Sequence, residues 1–271
     1  MAAKLGRRGV RAVSVSDMFS CEGKIALVTG AACGLGFTFA ETMAEVGADV
    51  ACADVNGNGL PDIVRAVERH GRKAIAIQCD VADEAAVIDM VGKTVREFGR
   101  LDILFNNAGI GANPKPLHEL STEEWNHVVG IDLQGAFYCA REALKVMVPQ
   151  RSGKIINTLS VWGRVGSSSL MTVPAYTAAK GGLANLTREL GLFYGPLGIN
   201  VNGICPGFIR TRIGNDSFDD PEFVRAMVAF APIGRVGMPS ELKGVAVLLA
   251  SDASSYMCGE LIAVDGGILA K

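Results

Sequence analysis

The chain has no large excess of charge of either sign, and it has no long hydrophobic run. Its 26 basic and 28 acidic residues give a formal net charge of -2, which argues against a nucleic-acid partner. No apolar run approaches the roughly 18 residues that a membrane span needs. We therefore expect neither nucleic acid nor membrane as a partner, and a hydrophobic content of 49% is left to fill a large core.

Paired cysteines and clustered histidines are also missing. The seven cysteines never form a CxxC pair, and the three histidines are widely separated in sequence. This pattern argues against a disulfide framework and a zinc site, so we expect no metal. Cysteines in apolar surroundings are typical of a reducing compartment, which favours the cytoplasm.

The first 20 residues differ in composition from the rest of the chain. Four basic residues, Lys4, Arg7, Arg8 and Arg11, accompany a single acidic residue, Asp17. One interpretation is a basic arm that is flexible or docks a partner. The other is a transit peptide, which would place the protein in an organelle matrix.

From residue 21 onward, short apolar β-rich runs alternate with longer helical patterns. This order predicts one α/β domain over residues 21–271, with a doubly wound, seven-stranded parallel sheet of Rossmann type. The predicted strands are Lys24–Thr29, Asp49–Asp54, Ala74–Gln78, Ile103–Asn106, Lys154–Thr158, Asn200–Ile204 and Leu261–Val264. The predicted helices include Gly34–Glu45, Glu84–Phe98, Thr122–Met147, Ala175–Phe193 and Glu241–Leu249.

A glycine-rich loop joins the first predicted strand to the first helix. It reads Thr29-Gly30-Ala31-Ala32-Cys33-Gly34-Leu35-Gly36. Glycines let the backbone approach a pyrophosphate, and the helix N-terminus supplies N–H groups and a positive dipole. A tight turn that only packs strand against helix is the alternative.

The acid after this loop favours a dinucleotide. Asp54 ends the next predicted strand, 18 residues beyond Gly36, close to the roughly 20 expected for a carboxylate that binds the adenosine ribose. That carboxylate would repel a 2′-phosphate, and neither Cys33 nor Val55 supplies a cation for one. We therefore predict NAD as the cofactor.

Several ordered motifs resemble those of the classical short-chain dehydrogenase/reductase family. The resemblance runs from about Gly23 to Gly267. Besides the glycine loop it includes Asp80-Val81, Asn106-Asn107-Ala108-Gly109, Ser160, Tyr176-x-x-x-Lys180, Pro206-Gly207 and Asp265-Gly266-Gly267. It implies an oxidoreductase that interconverts a secondary alcohol and a ketone by hydride transfer.

The resemblance also implies cofactor contacts. Asp80 and Val81 would contact the adenine, although Asp80 could equally cap the following helix. The Asn106–Gly109 turn, supported by Thr29, would lie beside the adenosine. Ile209 and Thr211 would contact the nicotinamide carboxamide after the Pro206-Gly207 pair.

Tyr176 and Lys180 are four residues apart in a predicted helix, so they share a face. To act as a base near neutrality, Tyr176 needs a pKa lowered from about 10 toward about 7, which requires about 4 kcal/mol. A lysine ammonium about 4 Å away could supply that amount at an effective dielectric of about 20. The resemblance further implies that Lys180 holds the nicotinamide ribose.

Ser160 lies where the resemblance places the serine that binds the substrate oxygen. The interval from Ser160 to Tyr176 is longer than the family pattern, and Ser167, Ser168 and Ser169 lie between them. Ser167 is therefore the alternative.

Asp132 departs from the family pattern, which has asparagine at this position. An ionised aspartate can accept a hydrogen bond but cannot donate one, and it favours a protonated Lys180. Our hypothesis is that Asp132 replaces the asparagine in a water-linked proton path to Lys180. A purely structural helix bend is the alternative.

Segments 110–116, 161–174 and 208–231 follow strand ends and are expected to line the substrate side, with 208–231 as a lid. Trp162, Met171 and Phe208 would make part of the pocket apolar. We expect a small alcohol or carbonyl substrate, with 3-oxoacyl reduction as an alternative class. A homotetramer is expected, or a dimer, and an NAD(H)-binding sensor or scaffold with impaired catalysis is the rival function.

Overall fold

A computed structural model describes residues 14–168, 171–211 and 217–270. Within them, seven strands form one fully parallel sheet in the order β3-β2-β1-β4-β5-β6-β7. The strands are β1 Ile25–Thr29, β2 Asp49–Asp54, β3 Ala74–Gln78, β4 Ile103–Asn106, β5 Gly153–Thr158, β6 Ile199–Pro206 and β7 Leu261–Val264. The predicted Rossmann-type sheet is confirmed, with differences of one or two residues at the ends of three strands.

Helices cover both faces of this sheet. Their bounds are α1 Val15–Met18, α2 Gly34–Glu45, α3 Leu60–Arg69, α4 Glu84–Phe98, α5 Thr122–Val129, α6 Ala136–Gln150, α7 Pro174–Tyr194, α8 Pro221–Val228 and α9 Lys243–Ala250. One core includes apolar residues of α2, α3 and α9, where the Phe39 and Phe105 rings stack with centroids 4.9 Å apart. A second core includes residues of α4 and α6 on the opposite face. Among the described residues, no helix is both long enough and apolar enough to cross a bilayer.

The predicted helix Thr122–Met147 is helical throughout but is not α-helical along its whole length. A π-helical segment, Gly130–Gly135, separates α5 from α6. The apolar pattern continues across the break, so hydrophobic periodicity does not reveal the extra residue of a π turn. Asp132 lies in this segment, at a position where π turns often mark a functional site.

A buried polar network holds the centre of the sheet to the helices. Asn106 on β4 donates to the Ala136 carbonyl at 2.7 Å and to Asn157 Oδ1 on β5 at 3.0 Å. Asn157 donates in turn to Thr187 Oγ1 on α7 at 2.9 Å. Because buried polar groups are costly when unpaired, this network fixes α7 against the strand ends and thereby positions the site.

Candidate active site

The candidate site lies at the carboxyl ends of β1, β4, β5 and β6. The strand order reverses between β1 and β4, and crevices in open parallel sheets form at such points. The glycine loop follows β1, the Asn106–Gly109 turn follows β4, and Ser160 follows β5.

The glycine loop has a shape that side chains would block. Gly34 has a φ of +58°, and a Cβ atom on Gly36 would collide with the Gly30 carbonyl oxygen. No side-chain hydrogen bond caps α2, so its first-turn N–H groups remain available to an anion. Cys33 is exposed, whereas Leu35 is partly buried against the core. The loop therefore fits a dinucleotide pyrophosphate.

Asp54 is half-buried beside this loop. One carboxylate oxygen accepts the Ala32 N–H at 2.9 Å and the other accepts the Asn56 N–H at 2.8 Å. The acid thus also holds the loop to the end of β2, a role that the sequence spacing does not reveal. Each oxygen has a second lone pair for a ribose hydroxyl.

Asp80 and Val81 follow β3, and they differ in exposure. Asp80 is exposed and accepts the Ala82 N–H at 2.9 Å, whereas Val81 is buried against Gly135. The N-cap of α4 is Asp83, so the alternative that Asp80 caps this helix is wrong. Asp80 is left pointing to solvent, where it could meet a base.

The Asn106–Gly109 turn is braced by Thr29, as predicted. Thr29 Oγ1 accepts the N–H groups of Asn107 and Ala108, each at 3.0 Å. Asn107 donates to the Thr29 carbonyl at 3.0 Å and accepts from Thr158 Oγ1 at 3.1 Å. Asn106 is buried in the polar network, so of the two asparagines only Asn107 lies near the surface of the crevice.

The segment after β6 approaches the glycine loop from the other side. β6 ends at Pro206, and a Cβ atom on Gly207 would lie 2.7 Å from the Asp265 backbone. Ile209 is buried and bridges to Gly237, so it contributes mainly to the core. A Cβ atom on Gly34 would lie 3.5 Å from the Thr211 Cβ, which puts the Thr211 side chain beside the loop. Residues 212–216 of the expected lid lie outside the described residues.

Tyr176 and Lys180 occupy one face of α7, as predicted. Lys180 Nζ lies 5.7 Å from the centroid of the Tyr176 ring and donates to the Thr158 carbonyl at 3.1 Å. Lys180 is only 4% exposed, whereas Tyr176 is half-buried. The ammonium therefore acts on the phenol through a medium with little water.

The charge balance at Tyr176 differs from the expectation. Burial raises the pKa of Tyr176, the Lys180 ammonium lowers it, the Asp132 carboxylate raises it again, and a Ser160 hydrogen bond lowers it. The net result is that the pKa of Tyr176 is raised above its ordinary value. The ammonium lowers the pKa of Tyr176, as predicted, but burial raises that pKa by more.

Asp132 is fully buried beside this pair. Its Oδ1 accepts the Ile110 N–H at 2.8 Å, and its Oδ2 lies 3.3 Å from Lys180 Nζ. The second contact is an ion pair by distance but lacks hydrogen-bond geometry, since Oδ2 is without a hydrogen-bond partner among the described residues. Burial lowers the pKa of Lys180, but Asp132 and Tyr176 together raise it above its ordinary value.

Ser160 is held at the end of β5 by its own turn. Its Oγ accepts the Trp162 N–H at 3.1 Å, and the hydroxyl is close enough to Tyr176 to lower the pKa of the phenol, whereas Ser167 Oγ accepts the Val173 N–H at 3.4 Å. Ser169 lies outside the described residues. The geometry therefore favours Ser160 over Ser167 as the partner of Tyr176.

Three aromatic rings form a cluster next to Ser160. Trp162 contacts Phe208 with ring centroids 5.9 Å apart and Phe230 at 6.0 Å, and the two phenylalanines are 5.9 Å apart. Phe230 is missed as a site residue by the sequence analysis, because the 208–231 segment contains four phenylalanines and their spacing does not single out Phe230. Met171 lies on the neighbouring loop, where its N–H donates to Ser168 Oγ at 3.1 Å.

Comparisons with known proteins place this geometry in a family. A family model described as Enoyl-(Acyl carrier protein) reductase matches residues 30–269. The cis-4-hydroxycyclohexanecarboxylate dehydrogenase of Sinomonas cyclohexanicum is 42% identical over 248 residues, covering 91% of this chain and 97% of that protein. The gluconate 5-dehydrogenase of Gluconobacter oxydans (strain 621H) is 37% identical, covering 94% of this chain and 98% of its own.

Solved structures agree. A short-chain type dehydrogenase/reductase from Mycobacterium marinum has a TM-score of 0.91 at 35% identity and covers 95% of this chain and 100% of its own. The chain belongs to the short-chain dehydrogenase/reductase family. An NADPH-dependent 3-quinuclidinone reductase from Rhodotorula rubra is also similar, with a TM-score of 0.91 at 31% identity over 100% of both chains.

Membership makes this short-chain dehydrogenase/reductase an oxidoreductase with a nicotinamide cofactor and a small-molecule substrate. The glycine loop and the free α2 N-terminus fit such a cofactor. Three of these relatives are named for compounds of different shapes, namely cis-4-hydroxycyclohexanecarboxylate, gluconate and 3-quinuclidinone, so the family alone leaves the substrate open.

The two serines give a direct test of the site. We expect Ser160→Ala to lower kcat by about 100-fold or more, since it removes the hydroxyl beside Tyr176, and Ser167→Ala to change it little. Steady-state kinetics of both variants measure this. A comparable loss at Ser167 would make that residue the substrate-binding serine instead.

Proposed function

We propose that this chain is an NAD-dependent oxidoreductase that interconverts a secondary alcohol and a ketone, with Tyr176 as general acid and base. The observation that carries the proposal is the convergence of Tyr176, Lys180 and Ser160 at the strand ends, beside a glycine loop shaped for a pyrophosphate. The same proposal includes the other cofactor contacts predicted from the sequence. These are Asp80, Val81, the Asn106–Gly109 turn, Pro206, Gly207, Ile209 and Thr211.

Each residue has a distinct part in the reaction. A nicotinamide cofactor, held by the glycine loop and Asp54, would supply the hydride-transfer chemistry. Ser160 holds the substrate oxygen, and Tyr176 takes the hydroxyl proton in oxidation or returns it in reduction. Lys180 stabilises the phenolate by its charge, and in our proposal it also holds the nicotinamide ribose. Asp132 stands in for asparagine behind Lys180, where a water could continue the proton path.

The choice of NAD over NADP rests on Asp54. Its carboxylate lies beside the glycine loop, where a ribose 2′-phosphate would bring two negative charges close together. Val55, the next residue, is 63% exposed and offers no cation. The similar Rhodotorula rubra reductase is NADPH-dependent, so family membership by itself does not select NAD.

We expect NADH to bind at least about 10-fold more tightly than NADPH, and Asp54→Ser to reduce this ratio, because the repulsion is removed. Fluorescence titration of both cofactors measures the ratio. The ratio is used rather than a single affinity because the substitution also removes the hydrogen bonds from Ala32 and Asn56, and this loss can weaken the binding of both cofactors equally. Asp89→Ser, an exposed acid on α4, is the matched control and should leave the ratio unchanged. Equal or tighter NADPH binding by the unaltered protein would contradict the assignment.

The aromatic cluster of Trp162, Phe208 and Phe230 supports a substrate with an apolar ring next to the reacting carbon. Aromatic rings gain free energy by excluding water from such a surface, whereas a polyol would lose hydrogen bonds to water there. The Sinomonas cyclohexanicum relative acts on a substituted cyclohexane, as its name states, and the Gluconobacter oxydans relative acts on gluconate. The aromatic cluster favours a substrate of the cyclohexane type over one of the gluconate type. Reduction of 3-oxoacyl groups is the alternative class.

The decisive experiment is NADH production with a panel of cyclohexanols, polyols and 3-hydroxyacyl thioesters, with Tyr176→Phe as control. We expect turnover of cyclohexanols, and a fall in kcat of about 1000-fold in the variant with NADH binding retained. If the enzyme turned over only gluconate, or only a 3-hydroxyacyl compound, that compound's class would replace cyclohexanols as the proposed substrate. NADH binding with no turnover of any compound would favour the rival function, a cofactor sensor or scaffold.

The domain and compartment assignments remain proposals as well. We propose that residues 21–271 form the catalytic domain and that residues 1–20 form a basic arm. Residues 1–13 lie outside the described residues, and α1 begins at Val15. The apolar surroundings of Cys52 and Cys139, both fully buried, favour a reducing compartment such as the cytoplasm.

We also propose that the protein assembles through α6 and α7, as a homotetramer or a dimer. An apolar groove of about 510 Å³ lies between these helices and includes Leu144, Val148, Leu190 and Tyr194. Leu192 and Phe193, near the end of α7, are 77% and 65% exposed. Large exposed apolar patches of this kind usually mark an interface.

Light scattering of the intact protein should give a mass two or four times that of the chain. We expect Leu190→Arg to reduce this mass, because a charge would have to be buried in the interface. A wild-type monomer at micromolar concentration would contradict the assembly.

A further inference from the structure

A buried carboxylate lies at the base of the proton-transfer centre. Asp132 is 0% exposed, and an ionised carboxylate is stable in such a place only when a cation or hydrogen-bond donors compensate its charge. The structure shows one of each: the Ile110 N–H on Oδ1 and the Lys180 ammonium 3.3 Å from Oδ2. This arrangement is the one expected of a charged Asp132.

The same contacts fix where the ammonium can be. Lys180 Nζ lies between Oδ2 and the Thr158 carbonyl, and a Cβ atom on Gly109 would lie 3.2 Å from Nζ and 3.3 Å from Asp132 Oδ1. Because Gly109 has no side chain, the turn after β4 can pack directly against the ion pair. Asp132 connects that turn to α7 through its two oxygens.

The groups that face Tyr176 come from three elements. Lys180 shares α7 with it, Ser160 follows β5, and Asp132 lies in the π-helical segment. Among the described residues, one ammonium is thus opposed by one carboxylate, so the phenol lies in a field with little net positive charge.

We propose that Asp132 is a charged positioning residue. It holds the Lys180 ammonium against the Gly109 turn, and it places alcohol oxidation by this chain at a higher pH than a neutral side chain would. The inference rests on the proposed function, because it assumes that Tyr176 accepts the substrate proton. It adds a charge role to the stand-in role given to Asp132 above.

The sign of the pH effect follows from the chemistry. Oxidation needs an unprotonated Tyr176, which takes the hydroxyl proton as the hydride leaves the carbon. The Asp132 carboxylate raises the pKa of Tyr176, so removing that charge lowers it. The acidic limb of the pH profile then moves to lower pH, and the basic limb of ketone reduction, which needs protonated Tyr176, moves the same way.

The test compares two variants that each neutralise a buried carboxylate. In Asp132→Asn we expect the acidic limb of kcat/KM for oxidation to move down by about one pH unit. Asp102→Asn is the matched control. Asp102 is also buried, accepts a backbone N–H from Ile25 at 3.0 Å and pairs with Arg100, but it precedes β4 at the opposite end of the sheet. Its substitution should leave the limb in place.

An unchanged limb in Asp132→Asn, an upward shift, or an equal shift in both variants would overturn the inference. If wild-type protein oxidises no alcohol, the proposed function fails instead, and the two failures are thus distinct. Should Asp132→Asn fail to fold, Asp132→Ser removes the same charge and predicts the same direction.

A second readout does not need turnover. The chain has four tyrosines, so ¹³Cζ-tyrosine labelling gives four resonances, and Tyr176→Phe identifies the one from the site. We expect the Tyr176 resonance to titrate at lower pH in the Asp132 variant than in wild type. Identical titration curves would contradict a charged Asp132.

Discussion

A buried ammonium has to be compensated by its surroundings, and in this protein that requirement ties the catalytic end of the sheet together. Lys180 finds a carbonyl at the end of β5 and a carboxylate in the π-helical segment. Asp132 in turn holds the turn after β4 by a backbone N–H. Because an unpaired charge in such a place would cost several kcal/mol, β4, β5 and α7 cannot shift independently of one another.

The cofactor side depends on a second set of shared contacts. Thr29 and Asn107 join the ends of β1 and β4, and Asp54 ties the glycine loop to the end of β2. Each of these side chains bonds to backbone and so fixes the path of a loop. The Thr29 hydroxyl also donates to the Phe105 carbonyl and is fully used, whereas each Asp54 oxygen keeps a second lone pair for a ligand. The crevice at the reversal of strand order is therefore rigid where a pyrophosphate would lie.

Much of this arrangement can be predicted from sequence, because its signals are local. The buried strands appear as short apolar runs, and the glycine loop and the Tyr176/Lys180 pair appear at fixed spacings. The π-helical segment at 130–135 is missed, since an inserted residue does not disturb the apolar pattern on either side. Helices α1, α3 and α8 are also absent from the predicted helices; α1 lies in the segment interpreted as a basic arm and α8 in the segment expected to form a lid. Phe230 is missed because its role comes from contact with Trp162, 68 positions earlier in the chain.

The sequence by itself determined the family and the parallel sheet and predicted which residues transfer the proton, because periodicity, turn chemistry and motif spacing are properties of neighbouring residues. Only the tertiary structure decided the electrostatic state of the site. Burial and charge at Tyr176 come from segments that are distant along the chain and adjacent in space. Together they raise the pKa of Tyr176, whereas Lys180 alone would lower it. The same is true of Asp132, whose substitution is visible in sequence but whose ion pair requires the fold.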